Sequence, residues 1–143
     1  MIRITSIKRC HVADYDEIYL IVRSIATLEK SKSSILLHAK QLEALSPSKE
    51  LFYKQLNCTR SEEWTEEKFN NEYKPEFIYE LNENPEANEW LDEIAAKDAE
   101  GKKIALLCFC ANENLCHRSI IGELLKNRGC AVIMDKDTKR GNK

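Results

Sequence analysis

IALLCFCANENLCHRSIIGELLKNRGCAVIM, residues 104–134, is the stretch of sequence that decides the fold. It opens with an unbroken apolar run, Ile104–Phe109, which is typical of a central strand buried on both faces. A polar loop over Cys110–Leu115 follows, and apolar spacing then predicts a helix that begins at Cys116. The run Cys130–Met134 predicts another buried strand. This strand–loop–helix–strand unit of about 30 residues is expected of a right-handed parallel crossover.

The segments before this unit supply further strands. Ile2–Ile7 alternates apolar and polar residues, which predicts a first strand. Ile18–Ile25 is dense in β-branched residues and predicts a strand covered on both faces. Ile35–Leu45 fits a strand or a helix equally well.

The middle of the chain is predicted to be helical. Ser46-Pro47 is a favourable helix start, with serine as the cap and proline at the first helical position. Thr65 caps a second, short helix that Lys74-Pro75 would end. Asn84-Pro85 begins a third helix, and Gly101 stands where its terminating glycine belongs. The apolar stripe of this third helix comprises Ala87, Trp90, Leu91, Ile94 and Ala95.

The fold class that follows is α/β, with a mostly parallel sheet flanked by helices on both faces in a Rossmann-like three-layer arrangement. The 143 residues suffice for a single domain over residues 1–134, followed by a charged tail over 135–143. A composition of 43% hydrophobic and 32% charged residues indicates a globular protein, and the net charge of −2 argues against a wholly basic surface.

The expected setting is the cytoplasm. No apolar run reaches the roughly 18–20 residues that span a bilayer, so no membrane association is predicted. The N-terminal residues lack the apolar core of a secretory signal. Without that signal, the six cysteines are expected to be reduced. They are Cys10, Cys58, Cys108, Cys110, Cys116 and Cys130.

An anion pocket is predicted where the strand at Ile104–Phe109 ends and the next helix begins. Ligands bind at that edge of open parallel sheets, and a helix N-terminus favours negative charge. Arg118 and Ser119 add a guanidinium fork and a hydroxyl, which suit phosphate or carboxylate. Asn112, in the intervening loop, is a further candidate ligand-binding residue. The partner expected from these groups is a small anionic ligand or nucleotide, with nucleic acid as a wider option.

Thiol chemistry is the second prediction for this segment. Cys116 lies at a helix N-terminus beside His117 and Arg118, where dipole and charge favour a thiolate. Cys108, at the strand end, can face the same pocket, so either sulfur is a candidate nucleophile and His117 the neighbouring acid or base. Simple packing of either cysteine is the alternative, because buried cysteine behaves as a small hydrophobe.

Two other chemistries fit the spacing less well. Phosphatase-type catalysis needs a cysteine six residues before the arginine, and Asn112 occupies that position relative to Arg118. Structural zinc usually takes paired short knuckles, whereas here a Cys-x-Cys precedes an adjacent Cys-His. Neither a metal nor a cofactor is therefore predicted, although a zinc-stabilised module stays an alternative. The four possible zinc ligands are Cys108, Cys110, Cys116 and His117.

The sequence resembles the domain of unknown function 488 family. The shared motif is an apolar strand ending in Leu-x-Cys at Leu106 and Cys108, seven residues, and then Cys-His-Arg at residues 116–118 before an apolar helix. Further similar segments are Ile2–Ile4, Leu20–Arg23, Leu45–Leu51, Trp64, Phe69 and Tyr73.

The resemblance implies an α/β fold and a pocket around the motif, and it names no substrate. Of the Asp-Arg-Leu-Trp-Pro-Arg-Gly-like stretch in shorter members, only Arg23 is present, and it joins the ligand-binding candidates on that ground. Three functional hypotheses stay open: a thiol enzyme acting on a phosphate-bearing ligand, a non-catalytic nucleotide- or partner-binding module, and a zinc-stabilised structural module.

Overall fold

A sheet of five parallel strands forms the centre of the computed structural model, which describes residues 1–60, 65–108 and 117–134. The strand order is β3-β2-β4-β1-β5, and every neighbouring pair is parallel. Helices flank the sheet in a three-layer α/β arrangement, which confirms the predicted fold class. The strands are β1 (Ile2–Ser6), β2 (Glu17–Leu20), β3 (Ala39–Gln41), β4 (Ile104–Cys108) and β5 (Val132–Met134).

The helices lie mainly between β3 and β4 and between β4 and β5. They are α1 (Ala26–Lys30), α2 (Lys49–Arg60), α3 (Glu66–Lys68), α4 (Lys74–Asn82), α5 (Pro85–Ala99) and α6 (His117–Asn127). A π-helical turn, Phe69–Tyr73, joins α3 to α4. Within the described ranges, no helix has the length and apolar character that crossing a bilayer requires.

The central strand β4 carries the site motif to the carboxyl edge of the sheet. All five of its residues are buried, because it pairs with β1 on one side and β2 on the other. Its last residue, Cys108, is in register with Ser6, the last residue of β1.

The carboxyl ends of β1 and β4 form a topological switch point. The chain leaves β1 toward β2 and β3, and it leaves β4 toward β5 at the opposite end of the strand order. Because parallel crossovers are right-handed in nearly all proteins, these two connections cover opposite faces of the sheet. Open α/β sheets bind ligands in the crevice at such a point. Cys108, at the carboxyl end of the central strand β4, therefore lies where the topology favours a ligand-binding site.

Close packing of α6 against the sheet requires glycine at position 122. A Cβ built on Gly122 would lie 2.9 Å from the Cδ1 of Ile4 and 3.1 Å from the Sδ of Met134. The same helix is tied to α5, since the Nε of Arg128 donates to Asp92 at 3.1 Å. These contacts fix α6, and with it the residues of its first turn, relative to β1 and β5.

The prediction that Lys74-Pro75 ends a helix is wrong. Thr65 does cap the helix, accepting from the N–H of Lys68, but the helical path continues through the π turn into α4. Proline has no N–H to donate, and it is tolerated because Pro75 stands in the first turn of α4, directly after the π turn. The buried stripe of this continuous path is Phe69, Tyr73, Phe77 and Leu81.

Two predicted boundaries also differ from the structure. β2 ends at Leu20, and Ile21 and Val22 are buried beyond it. The first middle helix begins at Lys49 with the Oγ of Ser48 accepting from Leu51, so Ser48 and not Ser46 is at its start. The ambiguous segment 35–45 holds β3 between two 3-10 turns.

β5 is predicted as a buried strand, but it lies at one edge of the described sheet, opposite β3. It pairs with β1 alone among the described strands, and Ile133 is 42% exposed. By contrast, the third middle helix is confirmed: Asn84 accepts from Glu86 and Ala87, and Gly101 adopts φ +88° just after α5. The predicted tail, residues 135–143, lies outside the described residues.

Candidate functional site

Cys108 and His117 come together at the carboxyl edge of the sheet. Cys108 ends β4, and His117 is the first residue of α6. The Sγ of Cys108 lies 3.9 Å from both ring nitrogens of His117. The side chains are 2% and 5% exposed respectively. Sequence reasoning expected these two groups in one pocket, and the structure places them in contact distance.

The carbonyl of Ile21 orients the His117 ring. The Nε2 of His117 lies 2.5 Å from this oxygen. A carbonyl only accepts, so Nε2 carries a hydrogen and Nδ1 is the nitrogen left to exchange a proton with Cys108. Phe77 packs its ring against the imidazole edge to face, at 5.8 Å between centroids and 87° between planes. The imidazole is thus held on two sides by groups that the sequence motif does not contain.

The pKa of His117 is raised although the ring is buried. Burial lowers the pKa, and the nearby Arg118 charge lowers it too. The negative charge of Cys108, its hydrogen bond to the ring and the bond to the Ile21 carbonyl outweigh them. Cys108 thus raises the pKa of His117 from a distance of 3.9 Å, and a thiol this close to an imidazole can exchange a proton with it.

Arg118 is buried beside this pair. It is the second residue of α6, is 2% exposed, and ranks among the largest fully buried side chains. A guanidinium stays protonated in proteins, so it brings a fixed positive charge into the interior at a helix N-terminus. Ser119 follows it and is half-buried. Cys108, His117 and Arg118 do not face open water, because α6 and β4 hold them inside the fold.

Tyr73 is a buried residue of the helical path before α4, and the sequence singles it out only through the family resemblance. Its side chain is 1% exposed, and its ring lies 6.1 Å from that of Phe77. Burial raises the pKa of its hydroxyl, and the negative charges of Cys108 and Glu80 raise it further. A tyrosine in an otherwise apolar stripe is a second sequence signal for this residue, because its hydroxyl must be accommodated wherever the ring is buried.

Arg23 lies in a separate cleft of about 620 Å³ at the same edge of the sheet. Its guanidinium donates to the carbonyl of Pro47 at 3.5 Å and lies 3.9 Å from the Glu43 carboxylate. Carboxylates dominate the lining, so the cleft offers an anion little beyond Arg23 itself. These lining carboxylates are Glu43, Glu80, Glu83 and Glu86.

The other predicted site residues, Cys110, Asn112 and Cys116, lie outside the described residues. Across the described residues, no group of three or more histidine, cysteine or acidic side chains could hold a metal ion. The zinc alternative depends on Cys110 and Cys116 and therefore stays a prediction. The described cysteines Cys10, Cys108 and Cys130 are thiols rather than halves of a disulfide.

A family model described as "DUF488-N3a: Active DUF488-N3 subclade" matches residues 2–129. The chain belongs to the DUF488 family. The match to DUF488 extends from β1 through α6 and so includes Cys108, His117 and Arg118. No curated protein and no solved structure matches the chain. Membership of DUF488 confirms the resemblance seen in the sequence, and it assigns no substrate.

Proposed function

We propose that this protein binds a phosphate-bearing or other anionic ligand, of the nucleotide or nucleic-acid-end class, and uses a cysteine thiolate as its nucleophile. The observation that carries the proposal is the meeting of Cys108, His117 and Arg118 at the end of the central strand and the start of α6. A fixed cation and a helix N-terminus favour an anion, and the thiol–imidazole contact favours a reactive sulfur.

The reaction class is nucleophilic displacement. Cys108 transfers its proton to the Nδ1 of His117 and attacks the electrophilic atom of the ligand. The bond from sulfur to that atom forms as the bond to the leaving group breaks, and the leaving group takes the proton held on His117. Water then releases the product and restores the thiol–imidazole pair. Arg118 and Ser119 hold the ligand's anionic group during both steps.

Thiol reactivity tests the nucleophile directly and needs no substrate. The protein is alkylated with iodoacetamide between about pH 6 and pH 9, and each cysteine is quantified by peptide mass spectrometry; an ordinary thiol loses reactivity steeply below its usual pKa near 8.5. We expect Cys108 to stay reactive at the acidic end, and to lose that reactivity in His117→Gln. Cys10 and Cys130, whose thiol pKa values burial raises, are the internal comparison. The same mapping reports on Cys116. If both Cys108 and Cys116 show the pH profile of an ordinary thiol, the assignment of a cysteine nucleophile is overturned.

Phosphate tests the anion site. Inorganic phosphate should slow alkylation at Cys108 and raise the melting temperature, since a ligand at 100-fold its Kd stabilises the folded state by about 2.7 kcal/mol. Arg118→Lys keeps the charge but not the bidentate fork and should weaken both effects. Arg128→Lys, just beyond the other end of α6, is the matched control and should leave them unchanged. Equal phosphate effects in the wild type and in Arg118→Lys would contradict the assignment of Arg118.

A non-catalytic binding module is the second candidate, and the 2% exposure of Cys108 favours it. In a screen of nucleoside phosphates and 5′-phosphorylated oligonucleotides, an enzyme should lose turnover in Cys108→Ser or Cys116→Ser while keeping affinity. A pure binding protein should show no turnover, and only Arg118→Ala should reduce its affinity.

A further inference from the structure

The Ile21 carbonyl, rather than the Cys108 sulfur, distinguishes the two ring nitrogens of His117. The sulfur lies 3.9 Å from Nδ1 and 3.9 Å from Nε2, so these distances favour neither nitrogen. The Ile21 carbonyl lies 2.5 Å from Nε2 and can only accept a hydrogen bond. The direction of this one carbonyl therefore determines that Nδ1 is left to exchange a proton with the thiol.

Ile21 lies just beyond the regular ladder between β2 and β3. This ladder ends where Leu20 is in register with Gln41. One further backbone bond follows, from the N–H of Leu42 to the carbonyl of Leu20 at 2.8 Å. On the other side of β2, the N–H of Ile21 donates to the carbonyl of Leu107 in β4 at 3.0 Å. The segment that carries the Ile21 carbonyl is thus an extension of β2.

The side chain of Gln41 supplies hydrogen bonds to this extension. Its Nε2 donates to the carbonyl of Val22 at 3.0 Å and to that of Arg23 at 2.9 Å. A side-chain amide has two N–H hydrogens, so it can bond to both carbonyls at once. The amide of Gln41 therefore stands in for the backbone N–H groups that a longer β3 would provide.

These bonds fix the peptide units on both sides of the Ile21 carbonyl. The carbonyls of Leu20 and Val22 are bonded on the β3 side of the extension. The carbonyl of Ile21, which lies between them in sequence, is bonded to His117 on α6. Because peptide units are rigid planes, holding the neighbouring units restricts the rotation of the unit between them. Gln41 is therefore placed to hold the Ile21 carbonyl toward the imidazole.

Gln41 is uncharged, which separates its effect from the electrostatics of the site. Within the described residues, the charged groups that act on His117 are Cys108 from β4 and Arg118 from α6. Phe77 from α4 adds an uncharged ring. A neutral substitution of Gln41 changes none of these charges, so it acts on His117 through the backbone of the extension.

We propose that Gln41 is a positioning residue, whose side-chain amide holds the Ile21 carbonyl on Nε2 of His117 and so keeps Nδ1 available to the Cys108 thiol. This inference rests on the proposed function, because it assigns Gln41 a part in the same thiol–imidazole pair.

Gln41→Met tests the inference, because methionine is similar in length, uncharged and without a hydrogen-bond donor. The nitrogen chemical shifts of the His117 ring, followed by NMR across pH, show which nitrogen keeps its hydrogen when the ring is neutral. We expect Nε2 to keep it in the wild type, and both nitrogens to share it in Gln41→Met. Iodoacetamide alkylation of Cys108 at about pH 6 should slow about fivefold, the factor of one ordinary hydrogen bond, and match the wild type at about pH 9.5, where the thiolate forms in both proteins.

Asn88→Leu is the matched control, because it also removes an amide that bonds to two carbonyls. The Nδ2 of Asn88 donates to the carbonyls of Leu81 and Asn84, at 3.1 Å each, where α4 is joined to α5. This variant should leave the His117 tautomer and the Cys108 profile unchanged. Gln41→Asn, with an amide on a side chain one methylene shorter, is the milder variant if Gln41→Met does not fold, and it should show the same changes to a smaller extent.

The two proposals fail in different ways. If wild-type Cys108 is thiolate-like and the Gln41 variants match the wild type in both measurements, the inference is overturned and the proposed function stands. Equal changes in Gln41→Met and Asn88→Leu would also overturn it, since a general loss of stability would then account for them. If wild-type Cys108 has an ordinary thiol profile, the proposed nucleophile is overturned, whereas the His117 tautomer in Gln41→Met still decides whether Gln41 positions the ring.

Discussion

Removing the sulfur of Cys108 should reverse the titration behaviour of His117. Cys108→Ser keeps the size of the side chain nearly constant and replaces an ionisable thiol by a hydroxyl that stays neutral. In the wild type, burial and Arg118 lower the pKa of His117, and the Cys108 charge, its hydrogen bond to the ring and the Ile21 carbonyl together outweigh them. Without that charge, burial and the Arg118 guanidinium both act against protonation, and only the Ile21 carbonyl still favours it.

The size of the effect follows from the distance. Two unit charges separated by the 3.9 Å between the Cys108 sulfur and the His117 ring nitrogens attract each other by about 4 kcal/mol at an effective dielectric constant of 20. Losing an attraction of this size should lower the pKa of His117 and favour the neutral ring in Cys108→Ser, because burial and Arg118 then act against protonation.

NMR of histidine-labelled protein measures this directly. The chain has three histidines, and the exposed His11 and His38 provide reference resonances in the same spectrum. Cys130→Ser, at a half-buried free thiol just before β5, is the matched control and should not move the His117 titration. Arg118→Gln should move it upward, the opposite direction, because Arg118 lowers this pKa. An unchanged His117 titration in Cys108→Ser would refute the thiolate–imidazolium pair.

Three further predictions concern stability. Gly122→Ala should lower the free energy of unfolding, measured in urea, by about 1 kcal/mol. Crowding of Ile4 and Met134 costs about 1–3 kcal/mol, whereas replacing a helical glycine by alanine returns about 1 kcal/mol. A variant more stable than the wild type would contradict the close approach of α6 to the sheet. Asn84→Ala should cost about 1 kcal/mol through the lost cap of α5, measured against exposed Asn82→Ala as a near-neutral control. Tyr73 has a raised folded-state pKa, so the stability it contributes is complete below the unfolded value of about 10 and is lost as pH rises above it. From about pH 10 to pH 11, the free energy of unfolding of the wild type should fall by up to about 1.4 kcal/mol more than that of Tyr73→Phe. If the two proteins lose stability in parallel over this range, Tyr73 ionises freely in the folded state.

Hydrophobic patterning was enough to predict the architecture around the site. The apolar run at Ile104 is unbroken because β4 is central, and the boundaries of α5 carry their own local signals in Asn84 and Gly101. These features depend on residues close together in sequence. The edge position of β5 does not depend on neighbouring residues. Its apolar run is typical of a buried strand, and only the strand order shows that β1 is its single partner among the described strands.

The surroundings of the site were less predictable, because they come from distant segments and from backbone atoms. The carbonyl of Ile21 orients His117 across 96 residues of sequence, and every residue type has such a carbonyl. The π turn precedes Phe77, whose ring packs against the imidazole, and it is a one-residue change of hydrogen-bond register that periodicity over a short helix does not resolve. The Cys-His-Arg motif therefore indicated where the candidate site lies. The orientation and burial of its side chains depend on tertiary contacts that the motif does not contain.

The anionic ligand that we propose agrees with the charges that the structure places at the start of α6. A guanidinium such as that of Arg118 carries a positive charge, and the raised pKa of His117 favours a second one. A thiolate at Cys108, as we propose, would offset part of this charge, and the positive end of the α6 dipole would add to it. Charge interactions are stronger in the interior than in water, so an anionic group bound at the start of α6 would be favoured there, beside the Cys108 sulfur and the imidazole that it contacts.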